Sequence, residues 1–153
     1  MSKEPSFDIT AAHKYFSTNC FNSTWGYIDK TDRTAQDNEQ MIQLAQASLW
    51  HWSQREDKTE RNMSIGYWLA ARVYALVDEA DNARKYGLLC LEYSKNDEPF
   101  YLGFAYEALA RAEMIAGDKT KMNEYLQQAR TQAESVTSDE EKKMLTDDLN
   151  TIK

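Results

Sequence analysis

Apolar residues recur along this chain every three to four positions, and the stripes they trace predict seven helices separated by polar punctuation. The first runs from about Asp8 to Tyr27, where Phe7, Ala11, Ala12, Tyr15, Phe16, Asn19, Cys20 and Ser23 form one mostly apolar face. The polar run Asp29-Lys30-Thr31-Asp32-Arg33 reads as a loop, and Thr34 with Asp37 three residues on is close to a capping box opening the second helix. That helix carries Met41, Leu44, Ala45, Ser48, Leu49 and Trp52 on one side. After the break at Glu56-Asp57-Lys58, the spacing of Ile65, Trp68, Leu69, Ala71, Arg72 and Tyr74 places a third helix from about Thr59 to Val77. A fourth runs from about Ala80 to Ser94 and buries Ala83, Tyr86, Gly87, Cys90 and Leu91.

Asp97-Glu98-Pro99 then supplies an N-cap and a first-turn proline, whose missing amide hydrogen does no harm there. Gly117 is placed for a left-handed cap at the end of the fifth helix, and Asp118 for the N-cap of the sixth, so these two must pack antiparallel. Ser138 with Glu141 predicts a full capping box for a short seventh helix, about Asp139 to Asn150, whose acidic face suits the end of a helical stack.

Residues 67–129 also repeat at an offset of 39, pairing Tyr67 with Tyr106, Ala71 with Ala110, Arg72 with Arg111, Leu76 with Ile115 and Tyr86 with Tyr125. A hairpin that cannot bury its apolar face alone stacks on a neighbour, so this period points to a repeat architecture. The two copies resemble tetratricopeptide repeats. Tyr67, Ala71, Tyr74, Ala83 and Cys90 follow that family's order of aromatic and small positions in the first copy, and Tyr106, Ala110, Gly117, Leu126 and Ala129 follow it in the second. The small positions let helices approach, and the bulky ones fill the groove between pairs. Departures are Asp78, where the family has a small residue at the turn, and Met122 in place of alanine. The period also exceeds the family's spacing of about 34, with the excess in the linker 94–98.

The resemblance covers residues 60–133. It implies an all-α fold in which antiparallel helical hairpins stack as a short right-handed tetratricopeptide-like solenoid of about seven helices. The expected single domain, 1–153, divides into a divergent amino-terminal hairpin (8–54), two repeat-like hairpins (59–95 and 98–136) and a carboxy-terminal capping helix (138–150). A second likeness, carried by Trp25, Asp32-Arg33-Thr34, Met41 and the run Ala45 to Trp52 ahead of the repeats, is to a family of small uncharacterised bacterial proteins and brings no activity with it.

Composition narrows the function. With 153 residues, 42% hydrophobic and 28% charged, the chain can build one solvated domain with a real core. Its few breakers, five Gly and two Pro, argue against a sandwich or barrel. A net charge of −7 and the lack of a basic stripe disfavour nucleic acid and anionic membranes. The start, Met1 to Ser6, is polar and no run is long and apolar enough to span a bilayer, so a cytoplasmic protein is expected. Cys20 and Cys90, on different helices, read as packed thiols in a reducing compartment.

Candidate chemistry is sparse. His13 stands alone and His51 sits between Trp50 and Trp52, so no metal-binding pair at helical spacing exists, and no phosphate loop or nucleophile signature appears. No cofactor is expected and the chain reads as non-catalytic. The concave positions of a tetratricopeptide-like stack map onto Trp68, Arg72, Glu107 and Arg111, with Met114 one turn further. An aromatic platform with two guanidinium groups suits a peptide carboxylate or an acidic segment. Equally, Glu107 with Arg111 is an i, i+4 ion pair that Arg72 can join, which would leave little free charge.

Three readings follow. The first is an adaptor or scaffold that binds a peptide or protein segment in the concave groove. The second is a homodimeric regulator that self-associates through its apolar amino-terminal helix or an uncapped edge of the stack. The third is a small-ligand binder or enzyme using Trp25, His51 and the Asp32–Thr34 loop.

Overall fold

A computed structural model describes residues 3–153; Met1 and Ser2, part of the polar start of the chain, lie outside the described residues. The described residues form seven α-helices and no strand: α1 Ile9–Ile28, α2 Ala35–Gln54, α3 Glu60–Leu76, α4 Ala80–Ser94, α5 Pro99–Ala116, α6 Lys119–Ser135 and α7 Asp139–Leu149. No helix among them is long and apolar enough to cross a membrane.

Local chemistry explains the ends. Asp8 caps α1 by accepting from the Ala11 N–H, and Thr34 with Asp37 closes a complete capping box on α2. Thr59 and Asn62 make a second box on α3. The box expected at Ser138 is only half formed: its hydroxyl accepts from the Glu141 N–H with no reciprocal bond. Gly117 ends α5 in the left-handed region, φ 79°, with its N–H on the Met114 carbonyl and the Asp118 N–H on the Glu113 carbonyl. Thirty-nine residues earlier Asp78 does the same, φ 62°, with its N–H on Ala75 and the Glu79 N–H on Tyr74. Both hairpins therefore turn through one motif, and Asp fills the glycine role because its short polar side chain tolerates that conformation.

Each helix packs on the next in chain order, and α1 on α3, α3 on α5 and α5 on α7 as well. The odd-numbered helices thus lie side by side, with the even ones behind them. The offset of 39 reappears in the packing: Tyr67 stacks on Tyr86 at 6.2 Å, and Tyr106 on Tyr125 at 6.4 Å. Small buried residues, Ala71 and Ala110 on the odd helices and Ala83, Cys90 and Ala129 on the even ones, let the hairpins close.

Three apolar clusters make the core. Met41, Ala45, Leu69 and Val73 join α2 and α3 under Phe21, Trp25 and Ile42; Ala75, Ala83 and Ala112 join α3, α4 and α5; and Ala110, Met122, Ala129, Ala133, Val136, Leu145, Leu149 and Ile152 join α5, α6 and the chain end. Leu145 and Leu149 are fully buried, each stabilising by roughly 2–3 kcal/mol, which makes α7 an integral element. Polar links between helices are specific: the Ser48 hydroxyl donates to the Ser17 carbonyl at 2.7 Å, and Arg84 binds the buried Glu113 through Nε at 2.7 Å. The thiols of Cys20 and Cys90 are free and buried, and burial pushes that of Cys90 up to about 12.

Candidate functional site

Trp68 and Arg72, one turn apart on α3, meet Glu107 and Arg111, one turn apart on α5. The Glu107 side chain is 0% exposed. Its Oε2 accepts from the Trp68 indole N–H at 2.9 Å, while Oε1 accepts from the Arg72 guanidinium at 2.9 Å and from Arg111 Nε at 2.8 Å. The chain end completes the set: Arg72 also donates to Asp148 Oδ2 at 2.9 Å, and Arg111 to the Asp148 carbonyl at 3.2 Å and the Thr151 hydroxyl at 2.7 Å. Burial pushes the Asp148 carboxyl above its ordinary range, against the pull of Arg72.

Two cations and two carboxylates thus cancel across α3, α5 and α7. The Arg72 and Arg111 side chains keep only 13% and 11% of their surface in solvent. Arg72 Nε is buried with no acceptor, because the fork engages its partners through the terminal nitrogen. Of the two arrangements the sequence allows, a carboxylate clamp and an internal ion-pair network, the geometry matches the second, with the guanidinium groups engaged by the chain's own Glu107 and Asp148. Met114 stands apart: it is half-buried against the α5–α6–α7 cluster.

Beside the charge cluster lies an open groove of about 440 Å³, lined by Trp25, Ile65, Trp68, Phe100, Phe104 and Met144, with Tyr101, Ser64, Cys90 and Asp148 completing its walls. All but Cys90 come from odd-numbered helices, so the side-by-side packing of α1, α3, α5 and α7 is what shapes it. Trp25 stacks on Trp68 at 5.9 Å, and Phe104 meets Trp68 edge-on at 5.6 Å. The Arg72 guanidinium lies 5.1 Å from the Trp68 ring centre, so the indole is fixed by a cation, a stacked ring and a hydrogen bond. Met144 is 52% exposed at the rim.

Of the residues expected in the groove, only Trp68 lines it, with Arg72, Glu107 and Arg111 directly behind. Phe100 and Phe104 continue the Glu107–Arg111 stripe of α5 one and two turns back, a signal present in the helical spacing. Trp25, Met144 and Asp148 arrive from helices whose docking is not encoded locally.

The alternative site around Trp25, His51 and Asp32–Thr34 does not assemble. Thr34 caps the start of α2 while His51 lies in its last turn, about 25 Å away at the helical rise. Arg33 instead caps the carboxy-terminal end of α1, donating to the carbonyls of Ile28 at 3.2 Å and Lys30 at 2.7 Å. His51 pairs with His13, Nδ1 to Nδ1 at 2.9 Å, correcting the expectation that His13 stands alone. Burial and then the neighbouring His13 hold His51 below its ordinary value of 6.5. Among the described residues no three His, Cys, Asp or Glu side chains converge as metal ligands, this pair included.

Fold and groove together define a class: a small all-helical protein whose neighbouring helices pack in chain order around one aromatic cleft. Comparison with family models, with curated proteins and with solved structures finds no match to the chain.

Proposed function

We propose that this chain is a non-catalytic protein–protein interaction module, a short right-handed tetratricopeptide-like solenoid that holds a peptide or protein segment in the groove of its odd-numbered helices. The observation that carries the reading is the aromatic cleft of about 440 Å³ itself, within the roughly 300–1,000 Å³ of ordinary ligand pockets and open to solvent. Its walls come from helices packed side by side, the surface that repeat stacks present to partners. The turn motif shared by Asp78 and Gly117 and the paired tyrosine stacks support the solenoid.

Because the nearby charges are mutually neutralised, the partner is anchored by a large apolar side chain lying against Trp25, Trp68, Phe100 and Phe104. An apolar anchor fits this groove better than the acidic or carboxylate-bearing segment that the two arginines also suggest, because both arginines are already paired. Polar contacts fall to Asp148 and the rim, where a donor on the partner adds specificity.

The test is selection of a random peptide library on the immobilised protein, followed by fluorescence anisotropy of the selected peptide. Met144→Glu places a charge at the exposed rim without touching the buried core, and should weaken binding at least about tenfold, or ~1.4 kcal/mol. Peptides with no shared large apolar residue, or equal binding to the variant, would overturn the reading.

A further inference from the structure

The first hairpin carries a feature that the groove does not use. Tyr15, Phe16, His51, His13 and Trp50 form a continuous run of ring contacts: Tyr15 to Phe16 at 5.1 Å, Phe16 to His51 at 5.4 Å, His51 to His13 at 5.1 Å and His13 to Trp50 at 5.3 Å. The run bridges the start of α1 and the end of α2, and the hydrogen bond between the two imidazoles fixes its middle. Yet Tyr15 is 60%, Trp50 56% and Phe16 43% exposed. At the other end of the stack α7 covers the hairpin before it, whereas among the described helices α1 and α2 pack on each other and on α3 alone.

Charge singles out the same hairpin. Tyr15–Ile28 and Gln40–Gln54 contain no Asp, Glu, Lys or Arg, in a chain that is 28% charged with a net charge of −7, and the charges that border the cluster beside His13 are of both signs, Lys14 and Arg55 with Glu56 and Asp57. A strongly basic or strongly acidic partner gains little from a face whose centre is uncharged and whose border is balanced. A second copy of the same anionic chain does, because this is where two copies meet without like-charge repulsion.

We infer that the α1–α2 face is the interface of a two-fold homodimer, with the Tyr15–Phe16–Trp50 cluster of each copy packed against that of the other. Taking about 200 Å² for a whole aromatic residue, these three residues expose roughly 300 Å². Interfaces are a little over half apolar, so that core implies about 600 Å² per copy, at the low end of specific association. The dimer is accordingly a reversible one, and its symmetry makes each cluster self-complementary.

Sedimentation of the full chain from low micromolar to near-millimolar concentration tests this. Wild type should pass from the single-chain mass to twice that mass, and a Phe16→Glu, Trp50→Glu double variant should raise the dissociation constant at least tenfold. Tyr15→Lys alone, at the most exposed ring of the three, serves as the second variant should the double one unfold by circular dichroism. Leu88→Glu, exposed on α4, and Met144→Glu in the groove should leave the dimer intact. A wild type that stays at the single-chain mass throughout, or a dimer that survives the cluster variants or is broken equally by Leu88→Glu, overturns the inference.

Discussion

Replacing Glu107 by Gln removes one charge from the buried cluster and almost nothing from its shape. Glu107 uses both oxygens, Oε1 for two guanidinium groups and Oε2 for the Trp68 indole. A glutamine has one acceptor oxygen, so whichever way its amide turns an NH₂ group faces a donor. A lost bond to a charged partner costs about 1.5–3 kcal/mol, and removing one member of a buried ion pair about 3–5 kcal/mol. Arg72 keeps Asp148 and Arg111 keeps Thr151, which puts the expected loss near the overlap, about 3 kcal/mol. With a urea slope of about 1–3 kcal/mol per molar, the midpoint should fall by roughly 1–3 M. Urea unfolding followed by circular dichroism reads the helices, and tryptophan fluorescence adds the environment of Trp68 itself. A loss below about 1 kcal/mol for Glu107→Gln at unchanged slope would refute the view that this cluster ties α3, α5 and α7 together.

The two hairpin turns make a matched pair of tests. A Cβ at Gly117 meets no atom within 4 Å, so backbone strain alone decides Gly117→Ala, which should lower stability by about 1 kcal/mol in thermal melts. Asp78→Gly should be neutral or stabilising by up to about 1 kcal/mol; a clear loss would mean that its left-handed turn is not strained. Acid should act in two windows. His51 is held neutral in the fold, so stability is complete above 6.5 and declines as pH falls from there through the lowered folded value. Asp97 and Asp37 are held low by hydrogen bonds from Arg61 and Lys30, so their contribution persists above 3.8 and is lost as pH falls through their lowered values. Melting temperature against pH should show both declines, and His51→Phe should abolish only the upper one.

Much of the fold was legible because its determinants are local. Thr34, Gly117 and Asp118 act on donors and acceptors within a few residues, and the spacing alone marks them. Asp78 was legible by position, 39 residues before Gly117, though its chemistry disguised the left-handed turn. Half of the charge cluster was equally local, since Glu107 and Arg111 share a helix face and the repeat offset brings Trp68 opposite Glu107. Asp148 and Thr151 were not legible: they depend on how α7 docks through Leu145 and Leu149, which no periodicity fixes. The His13–His51 pair lies between these cases. Folding the first hairpin about its midpoint near Asp32 sets the two imidazoles opposite each other, but each read alone as an isolated histidine.

The carboxy-terminal helix binds stability and groove together. Met144 and Asp148 are one turn apart on α7: the first stands at the groove rim, the second neutralises Arg72. Between and beyond them Leu145 and Leu149 anchor the same helix in the core at full burial. Deleting α7 would therefore strip the core, take from Arg72 its second carboxylate and from Arg111 its bond to the Asp148 carbonyl, and remove a groove wall in one step, and no binding loss after such a truncation could be assigned to recognition. Moving the charge of Asp148 carries the same ambiguity, because Arg72 stiffens the Trp68 indole that the groove presents. Met144 escapes it, being exposed and outside the ion-pair set, so a change there separates what the groove holds from what holds the groove.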